Sequence, residues 1–206
     1  MRVNKPLNHI LNNEAKIVCL RFLCNYPTDI NGTQLAKLVG LTPATVHKAM
    51  KELFNEQIVN LKGAGNSHLY ELNKKNVIVT EILFPMFKRE KRFFEEHLQD
   101  IKRLISRSPF RNDVVSAALF GSVPEKRERP TSDTDLFIVL TSSKNKKKME
   151  DYIISTGLEL LGKFGLLVEP YIKTLRELKR DQNLNVVKSI YKSHLLVFGK
   201  RLEALL

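Results

Sequence analysis

The chain has 206 residues, 43% of them hydrophobic, with two cysteines and a formal charge of +12. That length holds one large domain or two small ones, and two cysteines are too few for a zinc site. No apolar run of membrane-spanning length and no N-terminal signal pattern is present, so a soluble, cytoplasmic protein with no membrane partner is expected.

The positive charge is spread over both halves of the chain. It favours a polyanionic partner and describes a solvated lysine-rich surface equally well. Residues 13–25 place Ile17, Leu20, Phe22, Leu23 and Cys24 at helical spacing, and Tyr26-Pro27-Thr28 ends that helix. Cys19 and Cys24 lie inside the pattern and read as small buried hydrophobes in a reducing compartment. A second short helix opens at Asn31-Gly32-Thr33-Gln34, carries Leu35, Ala36, Leu38 and Val39, and stops at Gly40. Thr42-Pro43 then supplies a cap and a first helical residue for a third helix, whose apolar stripe is Val46, Ala49, Met50, Leu53 and Phe54. Its other face presents Thr45, His47, Lys48 and Lys51. Two strand-like runs, Ile58 to Lys62 and His68 to Leu72, flank the Gly-rich stretch 63–67 and predict a hairpin.

Helix, glycine turn, helix and hairpin together resemble the winged helix-turn-helix of bacterial and archaeal transcription regulators, over about residues 8–75. The resemblance implies DNA as a partner, with the third helix in the major groove and the wing along the backbone. Thr45, His47, Lys48, Lys51, Lys62 and Asn66 are the residues it would use. Winged helices also dock proteins or RNA, and that alternative stays open. His47 and His68 have no companion at metal-ligand spacing and read as surface residues rather than ligands.

Residues 76–108 form a long amphipathic helical pattern that Pro85 kinks or restarts. Such a segment is either a dimerisation element, which would give a homodimer, or a rigid connector. After Ser108-Pro109 the pattern changes to α/β. Strands are expected at about 114–119, 136–140, 166–172 and 194–198, with helices at about 147–163, 175–181 and 185–192.

The central feature is an apolar run ending in Gly121-Ser122, a charged loop, and Asp133-Thr134-Asp135 opening a second apolar run. Aspartates at i and i+2 of a strand share a face, and a Gly-Ser turn lets backbone N–H groups approach phosphate oxygens. Two carboxylates beside such a turn suit Mg²⁺ and a triphosphate. Gly121-Ser122, ten residues, then Asp133-Thr134-Asp135 resembles the signature of the minimal nucleotidyltransferases of the DNA polymerase β superfamily. The resemblance covers the C-terminal half. It implies a mixed-sheet fold that transfers a nucleoside monophosphate from an NTP to a hydroxyl, with Asp133 and Asp135 as metal ligands and Gly121 and Ser122 on the phosphates. It also asks for a third carboxylate, for which Glu169 stands on the right strand, as metal ligand or as proton acceptor; an edge or purely structural role remains open beside Pro170. The loop departs from the family pattern at Val123-Pro124-Glu125-Lys126, where Lys126, Arg127 or Arg129 would have to cover the triphosphate.

The expected whole is an α+β chain: a winged helix (1–75), a connecting helix (76–108) and a nucleotidyltransferase fold (109–206). The leading expectation is Mg²⁺-dependent transfer of a nucleotide, AMP from ATP, to a protein such as a toxin partner or to a nucleic acid. The alternatives are a transcription regulator that senses nucleotide without turnover, and an RNA-binding protein.

Overall fold

The computed structural model describes residues 3–64, 67–129 and 132–205. The chain divides into two compact units, Met1–Phe93 and Phe94–Leu206. The first begins with α1 (Leu7–Ile10) and α2 (Glu14–Asn25), the latter capped by the Asn13 side chain on Lys16 N–H. A two-residue strand, β1 (Ile30–Asn31), leads into α3 (Gly32–Val39), capped by Asn31. Gly40 closes α3 at φ +70°, the left-handed conformation that glycine adopts without strain. Thr42 caps and Pro43 begins α4 (Pro43–Asn55). β2 (Val59–Ala64) and β3 (Ser67–Leu72) form an antiparallel hairpin, and β1 adds to it in the order β1-β3-β2. This is a winged helix-turn-helix, with the short β1 not foreseen in the sequence.

One apolar cluster holds that unit together. It draws Cys19, Leu20 and Leu23 from α2, Leu35 from α3 and Val46, Met50 and Leu53 from α4. Ile78, Val79, Leu83 and Phe87 join them. Those four belong to a π-helical stretch, Ile78–Leu83, and to α5 (Phe84–Glu90), which carries Pro85 in its first turn. Arg21 reaches Glu90 through two hydrogen bonds of 2.6 and 2.9 Å and pins α5 to α2. Lys16, only 3% exposed, donates to His9 O and Asn12 Oδ1 and lies 2.6 Å from Glu52, so its buried ammonium is fully occupied. The stretch 76–108 is therefore not one continuous helix. It breaks at Lys91-Arg92, and α6 (Phe93–Arg107) contributes Ile101, Leu104 and Ile105 to a different core.

The second unit is built on a mixed sheet of β4 (Val114–Phe120), β5 (Thr134–Leu140), β6 (Val168–Thr174) and β7 (His194–Gly199), in the order β6-β5-β4-β7. β4 pairs antiparallel with β5 and β7, whereas β5 and β6 run parallel and are joined by α7 (Lys146–Phe164). Alternation sends Leu119, Leu136 and Ile138 to one face, where α6 and α7 bury them with Met149, Ile153 and Leu160. Ala118, Phe137 and Val139 go to the other, under α8 (Leu175–Arg180), α9 (Asn185–Lys192) and the final turn Leu202–Leu205. β6 is an edge strand, which explains how Pro170 is accommodated. β5 begins two residues earlier than its apolar run suggests, so Asp135 lies in the strand and Asp133 just before it. Among the described residues no helix is long and apolar enough to cross a membrane.

Candidate functional site

The site forms where β4 ends. Phe120 is the register partner of Asp135, and Asp135 in turn is the partner of Glu169 on parallel β6. Paired strands lie about 4.8 Å apart, so the two carboxylates leave adjacent strands side by side on one face. Gly121, the residue that follows β4, sits at φ +76°, and a Cβ there would collide with Asp135 Oδ2. Glycine is thus required twice, by the backbone angle and by the carboxylate pressed against it.

The chain then turns tightly: Arg127 N–H donates to Ser122 O at 2.9 Å and Lys126 N–H to Val123 O at 3.1 Å. Lys126 adopts φ +56°. Among the described residues the N–H groups of Ser122 and Val123 carry no hydrogen bond, which leaves them as donors. Arg127 forms an ion pair with Glu125 and is otherwise exposed. Glu125 is thereby neutralised by its neighbour two positions on, while Lys126, Glu128 and Arg129 are exposed.

Burial raises the pKa of Asp135, and the negative charges of Glu169 and Asp133 raise it further. Asp133 and Glu169 therefore each lie within electrostatic reach of Asp135. As placed, however, no group of three His, Cys, Asp or Glu side chains among the described residues converges on one point as a metal cage. The donor set fits a hard divalent cation in kind, since it is all carboxylate oxygen, and Glu169 is exposed and unconstrained by strand packing. A cation there would also relieve the repulsion that raises Asp135.

His97 is the residue that sequence reading passed over. Its Nε2 lies 2.9 Å from the Oγ1 of Thr134, the residue between the two aspartates in sequence, and it is buried. The available signal was its place in the amphipathic pattern of α6, where a polar residue occupies the apolar register of Ile101 and Leu104.

In the winged helix, Thr45, Lys48 and Lys51 are exposed on α4. Thr45 Oγ1 is hydrogen-bonded to Thr42 Oγ1 at 2.8 Å within the helix cap. His47 is exposed as well, but its Nδ1 is 3.2 Å from Tyr70 Oη and its ring fills the space beside Gly32. Lys62 on β2 is ion-paired to Asp29 and Glu71, at 3.2 and 2.6 Å. Asn66 lies outside the described residues.

A glycine turn pressed against a strand-borne aspartate, with a second carboxylate on the next strand of a mixed sheet, defines a site of the nucleotidyltransferase class. Residues 95–197, half of the chain, match the nucleotidyltransferase domain, and the chain belongs to that family. No curated protein matches it in sequence. Similar solved structures include two variants of ZitR from Lactococcus lactis, each 20% identical, with TM-scores of 0.33 and 0.34 over 47% of this chain. Another is the adhesin competence repressor AdcR from Streptococcus pyogenes, 19% identical with a TM-score of 0.33, covering 54% of this chain and 88% of that one. This chain spans 62% of the length of the ZitR chains. A likeness so remote carries no functional conclusion.

Proposed function

We propose that the chain is a Mg²⁺-dependent nucleotidyltransferase that moves AMP from ATP to a hydroxyl of a protein or nucleic acid, and that its winged helix binds DNA. The observation that carries the first part is the seating of Asp135 against Gly121, which sets the carboxylate next to the phosphate-sized turn. A divalent cation held by Asp133 and Asp135, with Glu169 as a third ligand, would supply charge neutralisation on the triphosphate. The chain's own contribution is positioning. The N–H groups of Ser122 and Val123, without a partner among the described residues, point to a phosphate cradle, and Lys126 adds positive charge in the same turn. If Glu169 is not a ligand, its place on the next strand suits acceptance of the attacking hydroxyl's proton.

For DNA binding, the support is the exposed row Thr45, Lys48 and Lys51 on the outer face of α4. His47 and Lys62 contribute less under this proposal, because each is engaged within the fold. Dimerisation and a cytoplasmic setting belong to the same proposal.

The test is titration of ATP with and without Mg²⁺, followed by incubation of α-labelled ATP with candidate acceptors, a toxin partner among them. Metal-dependent binding and label transfer, both lost in Asp133→Asn/Asp135→Asn, are expected. Neither binding nor transfer by the wild type would end the proposal. Nucleotide that binds and alters operator affinity while no product forms would identify a sensor instead, a reading that the unusual Glu125 of the loop supports.

A further inference from the structure

Thr134 is fully buried, and strand alternation turns it to the face of the sheet covered by α6 and α7, opposite to Asp135. Two bonds hold it. Its N–H donates to Leu167 O at 2.7 Å, and its hydroxyl meets His97 Nε2 at 2.9 Å. His97 is 3% exposed, one turn into α6, with its ring edge-on to Phe164 at a centroid separation of 4.8 Å.

This histidine is costly to keep. Burial pushes its pKa down, with Asp100 opposing, so the ring is neutral at pH 7. Its Nδ1 is buried without a hydrogen-bond partner among the described residues. Donation from Nε2–H to Thr134 leaves only a lone pair orphaned, the smaller of the two penalties available. Only an apolar pair, phenylalanine at 97 with valine at 134, would fill the same space against Phe164 with no orphaned atom at all. The imidazole is therefore explained by what it does to Thr134.

We propose that His97 is a positioning residue for the two aspartates, acting through Thr134. The inference rests on the nucleotidyltransferase reading and deepens it. Asp133 precedes β5 and has no strand partner of its own, so its direction is set by the backbone of Thr134. Any rotation at Thr134 moves Asp133 relative to Asp135, which is itself fixed against Gly121. Anchoring the Thr134 side chain and N–H together thus holds the direction of Asp133 relative to Asp135.

The experiment uses the full chain with five variants, Thr134→Val, Thr134→Ser, His97→Phe, His97→Gln and the Thr134→Val/His97→Phe double variant. ATP affinity is measured by calorimetry with and without Mg²⁺, and thermal midpoints are taken without metal. Thr134→Val and His97→Phe should each lose about tenfold or more in Mg²⁺-dependent affinity, with metal-free ATP affinity unchanged. Thr134→Ser and His97→Gln, which keep the polar atoms, should rescue binding to within about threefold. The Thr134→Val/His97→Phe double variant should be no worse than either single one, because both remove the same link. A purely structural pair would lower the midpoint and leave Mg²⁺-dependent affinity of the folded protein within about twofold of wild type, which would overturn the inference. Should His97→Phe fail to fold, Thr134→Val, nearly isosteric, decides the matter alone. Absence of metal-dependent binding in the wild type would remove the underlying reading and this inference with it, an outcome distinct from wild-type binding that the variants leave untouched.

Discussion

Gly121 and Asp135 are a matched pair, and the chemistry of each constrains the other. Gly121→Ala places a methyl group where the carboxylate lies, at a backbone angle of +76°. The expected result is a loss of about 1–3 kcal/mol in stability together with loss of metal-dependent nucleotide binding, read by denaturant unfolding and calorimetry. Asp135 carries the opposite kind of cost. Its pKa is raised in the folded chain, above the ordinary 3.8, by burial and by Glu169 and Asp133. The folded state therefore holds this proton more tightly than the unfolded one, and stability falls as pH rises from the ordinary aspartate value through the raised one. Asp135→Asn should flatten that slope and raise the metal-free midpoint of the C-terminal unit by a few degrees at pH 7 while abolishing metal-dependent binding. A midpoint that falls instead would show that the carboxylate is stabilised by something other than a cation. Asp133 and Glu169 belong to the same balance, since the charge of each raises this one carboxylate.

At the scale of elements, α4 is the clearest test of the winged helix. Lys48 and Lys51 are exposed and, among the described residues, form no ion pair, whereas Lys62 is clamped between Asp29 and Glu71. Replacing Lys48 and Lys51 with Ala should weaken DNA binding at low salt and reduce the slope of log K against log salt by about 2, one phosphate contact each at about 0.9. Lys62→Ala should change the slope by less than half a contact, on the order of 0.4 or below. A slope indifferent to Lys48 and Lys51 would move the nucleic-acid surface away from α4. The elements themselves were mostly legible in the sequence, for physical reasons. The capping residues Asn13, Asn31 and Thr42 and the glycine at position 40 announce their helices through local hydrogen bonding and φ, and Gly121-Ser122 and Asp133-Thr134-Asp135 announce theirs through spacing. What was not legible depends on partners distant in sequence. β1 exists only because β3 lies beside Ile30 and Asn31, the start of β5 is set by pairing with β6, and the stretch 76–108 reads as one amphipathic run although its apolar residues serve two cores. His97 was hidden for the same reason: its partner is 37 positions away.

Among the described residues, buried apolar side chains gather around Leu20, Leu53 and Phe87 in the first unit and on the two faces of the mixed sheet in the second. Each is large enough to support its own cooperative transition, and the chain passes between them through the two-residue turn Lys91-Arg92. Calorimetric unfolding of the full chain is therefore expected to show two transitions. A ligand stabilises only the unit that binds it, by about 2.7 kcal/mol when present at one hundred times its dissociation constant. ATP with Mg²⁺ should move the transition of the C-terminal unit upward by several degrees and leave the other in place, and a short DNA duplex should do the reverse. Asp135→Asn should erase the first shift and Lys48→Ala/Lys51→Ala the second, so each shift is traceable to its own residues. If ATP with Mg²⁺ moved both transitions, the two units would be energetically coupled, and nucleotide would alter DNA affinity by the same factor by which DNA altered nucleotide affinity. That reciprocity separates an enzyme that merely carries a DNA-binding unit from a regulator that reads nucleotide.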